Sequence, residues 1–96
     1  MGRDALTEKW FDLTRERMPG LASLSERPVR FDHCFQRILL DNAVGAKWNE
    51  EIPAPAYRHA PDEVLERATR LGEAVIAGEA DLAELNANSL AWRGKL

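Results

Sequence analysis

His33, Arg37 and Asp41 recur at i, i+4 and i+8 within the run Asp32-His33-Cys34-Phe35-Gln36-Arg37-Ile38-Leu39-Leu40-Asp41-Asn42. That spacing stacks all three on one face of a helix. An imidazole, a guanidinium and a carboxylate in a column can do two kinds of chemistry. His33 and Asp41 can exchange protons or orient a ligand, and Arg37 can present planar donors to a carboxylate or phosphate. The same spacing also describes a solvated ladder with an ordinary Arg–Asp pair, and that arrangement is common on any helix. The column lies about 100° from Cys34 and Ile38, at the edge of the apolar stripe.

Other residues add candidates of lower weight. Cys34 follows His33, but neighbouring residues on a helix diverge by about 100°. His33 is therefore poorly placed to deprotonate the thiol, and a base such as His59 would have to approach it from elsewhere. A cysteine on the apolar side of a helix is more often a small buried hydrophobe. A metal would need His33, His59, Cys34 and a carboxylate to converge, and no pair has zinc-knuckle or His-Glu-x-x-His spacing. No metal and no cofactor is expected. The chain also lacks the fingerprint of a phosphate-binding glycine loop or a hydrolase nucleophile elbow.

The elements that must position these groups are helices. Leu6, Trp10 and Leu13, widened by Phe11 and Met18, predict a first helix over about 5–18, with Asp4 or Thr7 at its start and Pro19-Gly20 as its stop. Leu21–Arg30 reads as a connector whose Leu21 and Leu24 tuck onto the core. Phe31, Cys34, Phe35, Ile38, Leu39 and Asn42 predict a second helix over 31–44, ended by Gly45. The stretch from 46 to 60 holds Ile52-Pro53-Ala54-Pro55-Ala56, where two prolines exclude a regular helix or a central strand. It reads as an ordered extended arm pinned by Trp48, Ile52 and Tyr57.

Pro61, Asp62 and Glu63 open a third helix over 61–77, with Val64/Leu65, Ala68, Leu71/Gly72 and Val75/Ile76 as its buried stripe. Glu63–Arg67 and Glu66–Arg70 sit four apart in the favoured order. Gly78 ends this helix. Asp81-Leu82-Ala83-Glu84 then reads as a capping box for a fourth helix over 81–93. Asn86, Asn88 and Ser89 weaken its middle, and Trp92 is expected to anchor its end. Two of the three tryptophans are expected in the core.

The predicted fold is a single all-α domain of four helices with a proline-containing arm between the second and third. Its 96 residues allow one domain, and its apolar content of 45% is ordinary for a globular chain. No apolar run nears the roughly 20 residues that span a bilayer. The absence of a secretory leader and the single cysteine point to a reducing, cytoplasmic setting.

The net charge of −3 offers no general attraction for nucleic acid. The third and fourth helices outline a helix–turn–helix, but Glu79, Asp81 and Glu84 would meet phosphates with the wrong sign. Nucleic acid is therefore the third choice of partner. The leading expectation is a non-enzymatic binding or regulatory module that contacts a protein partner or a second copy of itself. Its surface would centre on His33, Arg37, Asp41, Trp48, Arg58 and His59. The arm should leave a cleft against the second helix, open to Arg37, Arg58 and His59. The alternative is a small enzyme or anion-binding protein in which His33 acts as acid or base, Asp41 orients it, and Arg37 or Arg58 holds a carboxylate or phosphate.

Overall fold

The computed structural model describes residues 2–18 and 32–95, and for Asp32 and His33 the helical backbone only. The Pro19-Gly20 stop, the Leu21–Arg30 connector, Phe31 and the side chain of His33 lie outside the described residues. Every regular element among the described residues is helical: α1 (Arg3–Asp12), α2 (Asp32–Val44), a single turn α3 (Ala56–His59), α4 (Asp62–Ile76) and α5 (Leu82–Trp92). The chain is thus an all-α small domain with four long helices, as its periodicities predict.

α2 is the hub. It packs against both α4 and α5, and α1 packs on α4. Phe35, Ile38 and Leu39 are fully buried along its inner face. They meet Leu65, Ala68 and Val75 of α4 and Trp10 and Leu13 from the N-terminal segment in one core. Helical spacing accounts for this, since 35, 38 and 39 share a face, as do 65, 68, 72 and 75.

The N-terminal helix departs from expectation at both ends. It begins at Arg3 with Gly2 as its cap and no side-chain cap bond, so neither Asp4 nor Thr7 caps it. Arg3 holds the early start in place by bonding Asp62 and the carbonyl of Tyr57. Beyond Asp12 the chain runs on as a π-helical turn, Leu13–Arg17. Leu13 and Met18 are five residues apart, a spacing an α-helix would place on different faces. One wide turn brings them back to the same side, and both are buried. Within it, the Thr14 hydroxyl donates to the carbonyl of Trp10.

The arm is ordered but not extended. It contains a 3-10 turn at Trp48–Glu50 and the helical turn α3. Ile52, Ala56 and Ala60 are buried, and Trp48 and Tyr57 pack half-buried on the core. Two prolines prevent a long helix here, yet short turns fit before and after them.

In α4, Glu66–Arg70 pairs loosely at 4.0 Å, while Arg67 turns away from Glu63 and donates to the carbonyl of Ala43 at the end of α2. α4 ends in a Schellman motif. Gly78 adopts φ +79°, the N–H of Glu79 donates to the Ala74 carbonyl, and that of Gly78 to the Val75 carbonyl. Asp81 caps α5 by accepting the N–H of Ala83 at 2.9 Å, and among the described residues Glu84 returns no bond. Asp81→Ala therefore costs about 1 kcal/mol in urea unfolding. A loss below about 0.3 kcal/mol would show the cap to be idle.

Trp92 does not anchor the end of α5. It is 41% exposed, and of the tryptophans only Trp10 is fully buried. The anchor is the next residue, Arg93.

Candidate functional site

Asp41 follows the buried residues Ile38 and Leu39 closely enough that helix geometry carries it inward, and it is fully buried. Its two oxygens accept four hydrogen bonds. The Ser89 hydroxyl and Arg93 Nε donate to Oδ2 at 2.6 and 2.7 Å. Arg93 Nη2 and the Trp48 backbone N–H donate to Oδ1 at 3.0 and 2.9 Å. Four donors match the acceptor capacity of a carboxylate, so the buried charge is both paired and saturated. The expected ladder is thereby rearranged: Asp41 pairs with Arg93 across the bundle rather than with Arg37 on its own helix.

Arg37 reaches the same partner helix by another route. The single Ser89 hydroxyl proton goes to Asp41, leaving its oxygen to accept Arg37 Nη1 at 2.6 Å. Arg37 Nη2 donates to Asn86 Oδ1 at 2.9 Å. Next to this chain, Asn42 donates to the carbonyl of Leu85 and accepts from Asn88. The polar residues that weaken α5 as an isolated helix are therefore the partners of the polar residues on α2. The network's described members include two guanidiniums, Arg37 and Arg93, and one carboxylate, Asp41. Among the described residues, Arg37 bonds only neutral acceptors, so its half-buried charge has no counter-ion there.

Arg37 also lines a cleft of about 240 Å³ between the arm, α1 and α2. Phe11, Trp48, Pro55 and Tyr57 form its walls, and Gln36, Arg37 and Arg15 add polar groups. Phe11 and Tyr57 meet edge to face with ring centres 5.0 Å apart, and the Arg15 guanidinium sits 3.9 Å over the Phe11 ring. Both contacts have the favourable geometry for their kind. Arg3 fixes the arm from behind, through the Tyr57 carbonyl at 2.8 Å and Asp62 at 2.6 Å.

Of the residues singled out in the sequence, the structure brings Arg37 and Trp48 together at this cleft and places Asp41 beneath them. Arg58 is exposed and outside the lining. His59 is exposed beside Ile52, Pro53 and Arg67 in a separate depression. The cleft between arm and α2 exists, but of the three side chains expected to reach it only Arg37 does so. Cys34 is a free thiol packed half-buried against the core. Among the described residues no group of three His, Cys, Asp or Glu is gathered to hold a metal ion. No described helix is long and apolar enough to cross a membrane.

Reasoning from sequence overlooked Arg93, Ser89 and Asn86. Their signal was present. Asn86, Ser89 and Arg93 fall at i, i+3 and i+7, a polar stripe on a helix that must pack somewhere, and Arg37, Asp41 and Asn42 form its complement on α2. No protein-family model, curated protein or solved structure matches the chain.

Proposed function

We propose that the chain is a non-catalytic binding module that holds an anionic group of a protein partner in the cleft between the arm and α2. The observation that carries this reading is Arg37. A guanidinium drawn half out of water, bonded among the described residues only to neutral acceptors, and set in a cleft with aromatic walls gains most from an anion that completes it. Arginine and aromatic side chains are also the residues on which binding energy concentrates at protein interfaces.

Size favours a macromolecular partner. Small-molecule sites enclose about 300–1,000 Å³, whereas about 240 Å³ suits one group projecting from a larger body. The saturated carboxylate of Asp41 speaks for a positioning role over acid–base work, since every acceptor site on it is occupied. A second copy of the chain is one partner this reading admits. Nucleic acid is the least favoured, because Glu79, Asp81 and Glu84 are exposed where a reading helix would begin. The lone Cys34 goes with a reducing, cytoplasmic location.

The test is an NMR titration of the full chain, following the Trp48 indole N–H with phenylacetate and, separately, phenylacetamide. Phenylacetate is expected to shift this resonance and phenylacetamide to leave it. Arg37→Gln should weaken phenylacetate about tenfold or more, equivalent to about 1.4 kcal/mol. The circular dichroism of the variant should stay helical, its cross-helix bonds costing about 1–2 kcal/mol of stability. Equal responses to acid and amide, or unchanged binding in the Arg37 variant, would overturn the reading.

A further inference from the structure

We infer that the cleft is built for the free carboxyl terminus of a polypeptide ending in an apolar residue, a conclusion that rests on the binding-module reading above. The added observation is the orientation of Gln36. Thr14 has one hydroxyl proton, and the carbonyl of Trp10 takes it at 3.0 Å. The Thr14 oxygen can then only accept, so the Gln36 atom 3.1 Å away must be the amide nitrogen. This fixes the amide. Its oxygen, Oε1, faces away from Thr14, and among the described residues no donor bonds it.

Two unlike groups on consecutive residues of α2, Gln36 and Arg37, line the cleft. Arg37 supplies a cation with N–H groups beyond the two given to Ser89 and Asn86. Gln36 supplies a neutral acceptor, and Phe11, Trp48 and Tyr57 supply apolar wall. A ligand complementary to all three carries an anion, an N–H donor close beside it, and an apolar body. In an aspartate or glutamate residue the anion stands one or two carbons farther from the residue's own N–H, and it takes the place of an apolar side chain. A phosphate group has neither the donor nor the apolar body. The last residue of a polypeptide has all three on one α-carbon: carboxylate, amide N–H and side chain. The cleft's volume of about 240 Å³ leaves room for one such residue and little more. Backbone termini are a known object of recognition by convergent donors.

The experiment compares three probes on the full chain by the same indole N–H titration: N-acetyl-L-phenylalanine, its C-terminal amide, and 3-phenylpropionate. The first has carboxylate, N–H and ring. The second loses the charge, and the third loses the N–H. N-acetyl-L-phenylalanine is expected to bind about tenfold tighter than either relative, the effect of one hydrogen bond made or missed in a sheltered site. Gln36→Ala should erase its advantage over 3-phenylpropionate while keeping its advantage over the amide. Equal binding of N-acetyl-L-phenylalanine and 3-phenylpropionate by the unmodified chain would overturn carboxyl-terminus recognition and leave an anion cleft. No binding of either carboxylate would overturn both readings.

Discussion

Asp41→Ala lowers the stability of the domain by about 3–5 kcal/mol, the usual cost of breaking a buried ion pair from one side. The loss comes from what is left behind. Arg93, whose side chain is only 17% exposed, keeps its charge without a counter-ion, and the Ser89 hydroxyl and the Trp48 N–H lose their acceptor. Small domains have about 5–15 kcal/mol in total, so this one substitution removes a large share. Urea unfolding measures it directly. Ser89→Ala should cost far less, about 1 kcal/mol, because the carboxylate keeps three donors. Replacing both charged partners, Asp41→Leu with Arg93→Met, should restore most of the stability lost by the single variant, since apolar groups of similar size fill such a site without an unpaired charge. A single-variant loss under about 1.5 kcal/mol would mean that Arg93 swings to water and that the pair does not clasp the bundle.

The same substitution reaches the cleft by two paths. Trp48 is held through its backbone N–H by Asp41 Oδ1. Arg37 is held through Ser89, whose proton goes to Oδ2. The carboxylate thus sets the wall and the cation of the cleft together, although it touches neither the cavity nor solvent. Arg37→Gln and Asp41→Ala should both weaken phenylacetate, but only the second should also lower stability by several kcal/mol. That contrast separates the residue that binds from the residue that positions.

How much of this was legible depended on whether a signal was local. The spacing of Phe35, Ile38 and Leu39, or of Leu65, Ala68 and Val75, is a property of one helix, and each long helix forms within two residues of its expected bounds, except that the first gives way to a π turn after Asp12. Gly78 and Asp81 act through bonds to residues within five positions, and both do what their types imply. The polar residues were different, because their meaning lay in another helix. Asp41 looked like the next rung above Arg37, since i+4 is the nearest partner visible along one chain segment. Its true partner is 52 residues away, and a carboxylate carried inward beside Leu39 and Leu40 needs such a partner more than a solvated one does. Trp92 is the expected anchor at the end of α5, yet its neighbour Arg93 has the charge that a buried carboxylate requires. The arm was legible as ordered, through Trp48, Ile52 and Tyr57, but the turns within it depend on packing against the core.

Gly72→Val is expected to cost about 3 kcal/mol or more, at the upper end of overpacking. Glycine in the middle of a helix is unfavourable by about 1 kcal/mol relative to alanine, so its presence in α4 needs a reason, and the π turn supplies one. That turn pushes Leu13 against α4 so closely that a β-carbon at 72 would collide with Leu13 Cδ2. It would also lie 3.1 Å from Leu13 Cγ and 3.0 Å from Leu39 Cδ1. Both leucines are fully buried, so neither can swing aside without displacing other core atoms. Gly72→Ala tests the balance at its narrowest. Helix propensity returns about 1 kcal/mol, the collision takes about 1–3 kcal/mol, and the net is a loss of about 1 kcal/mol. Valine adds two methyl groups and a stiff branched carbon with no further propensity to offset them. A valine variant within about 0.5 kcal/mol of the parent would show that α1 slides off α4 at no cost. Coupling gives a second measurement. In a double-mutant cycle with Leu13→Ala, the valine penalty should shrink by about 1 kcal/mol or more, because the colliding methyls are gone. The consequence extends to binding, since Phe11 and Arg15 flank Leu13 and Thr14 on the segment that would be displaced. A valine at 72 should therefore also shift the Trp48 indole resonance of the free protein, whereas Asp81→Ala, at the opposite end of α5 from Arg93, should leave it in place.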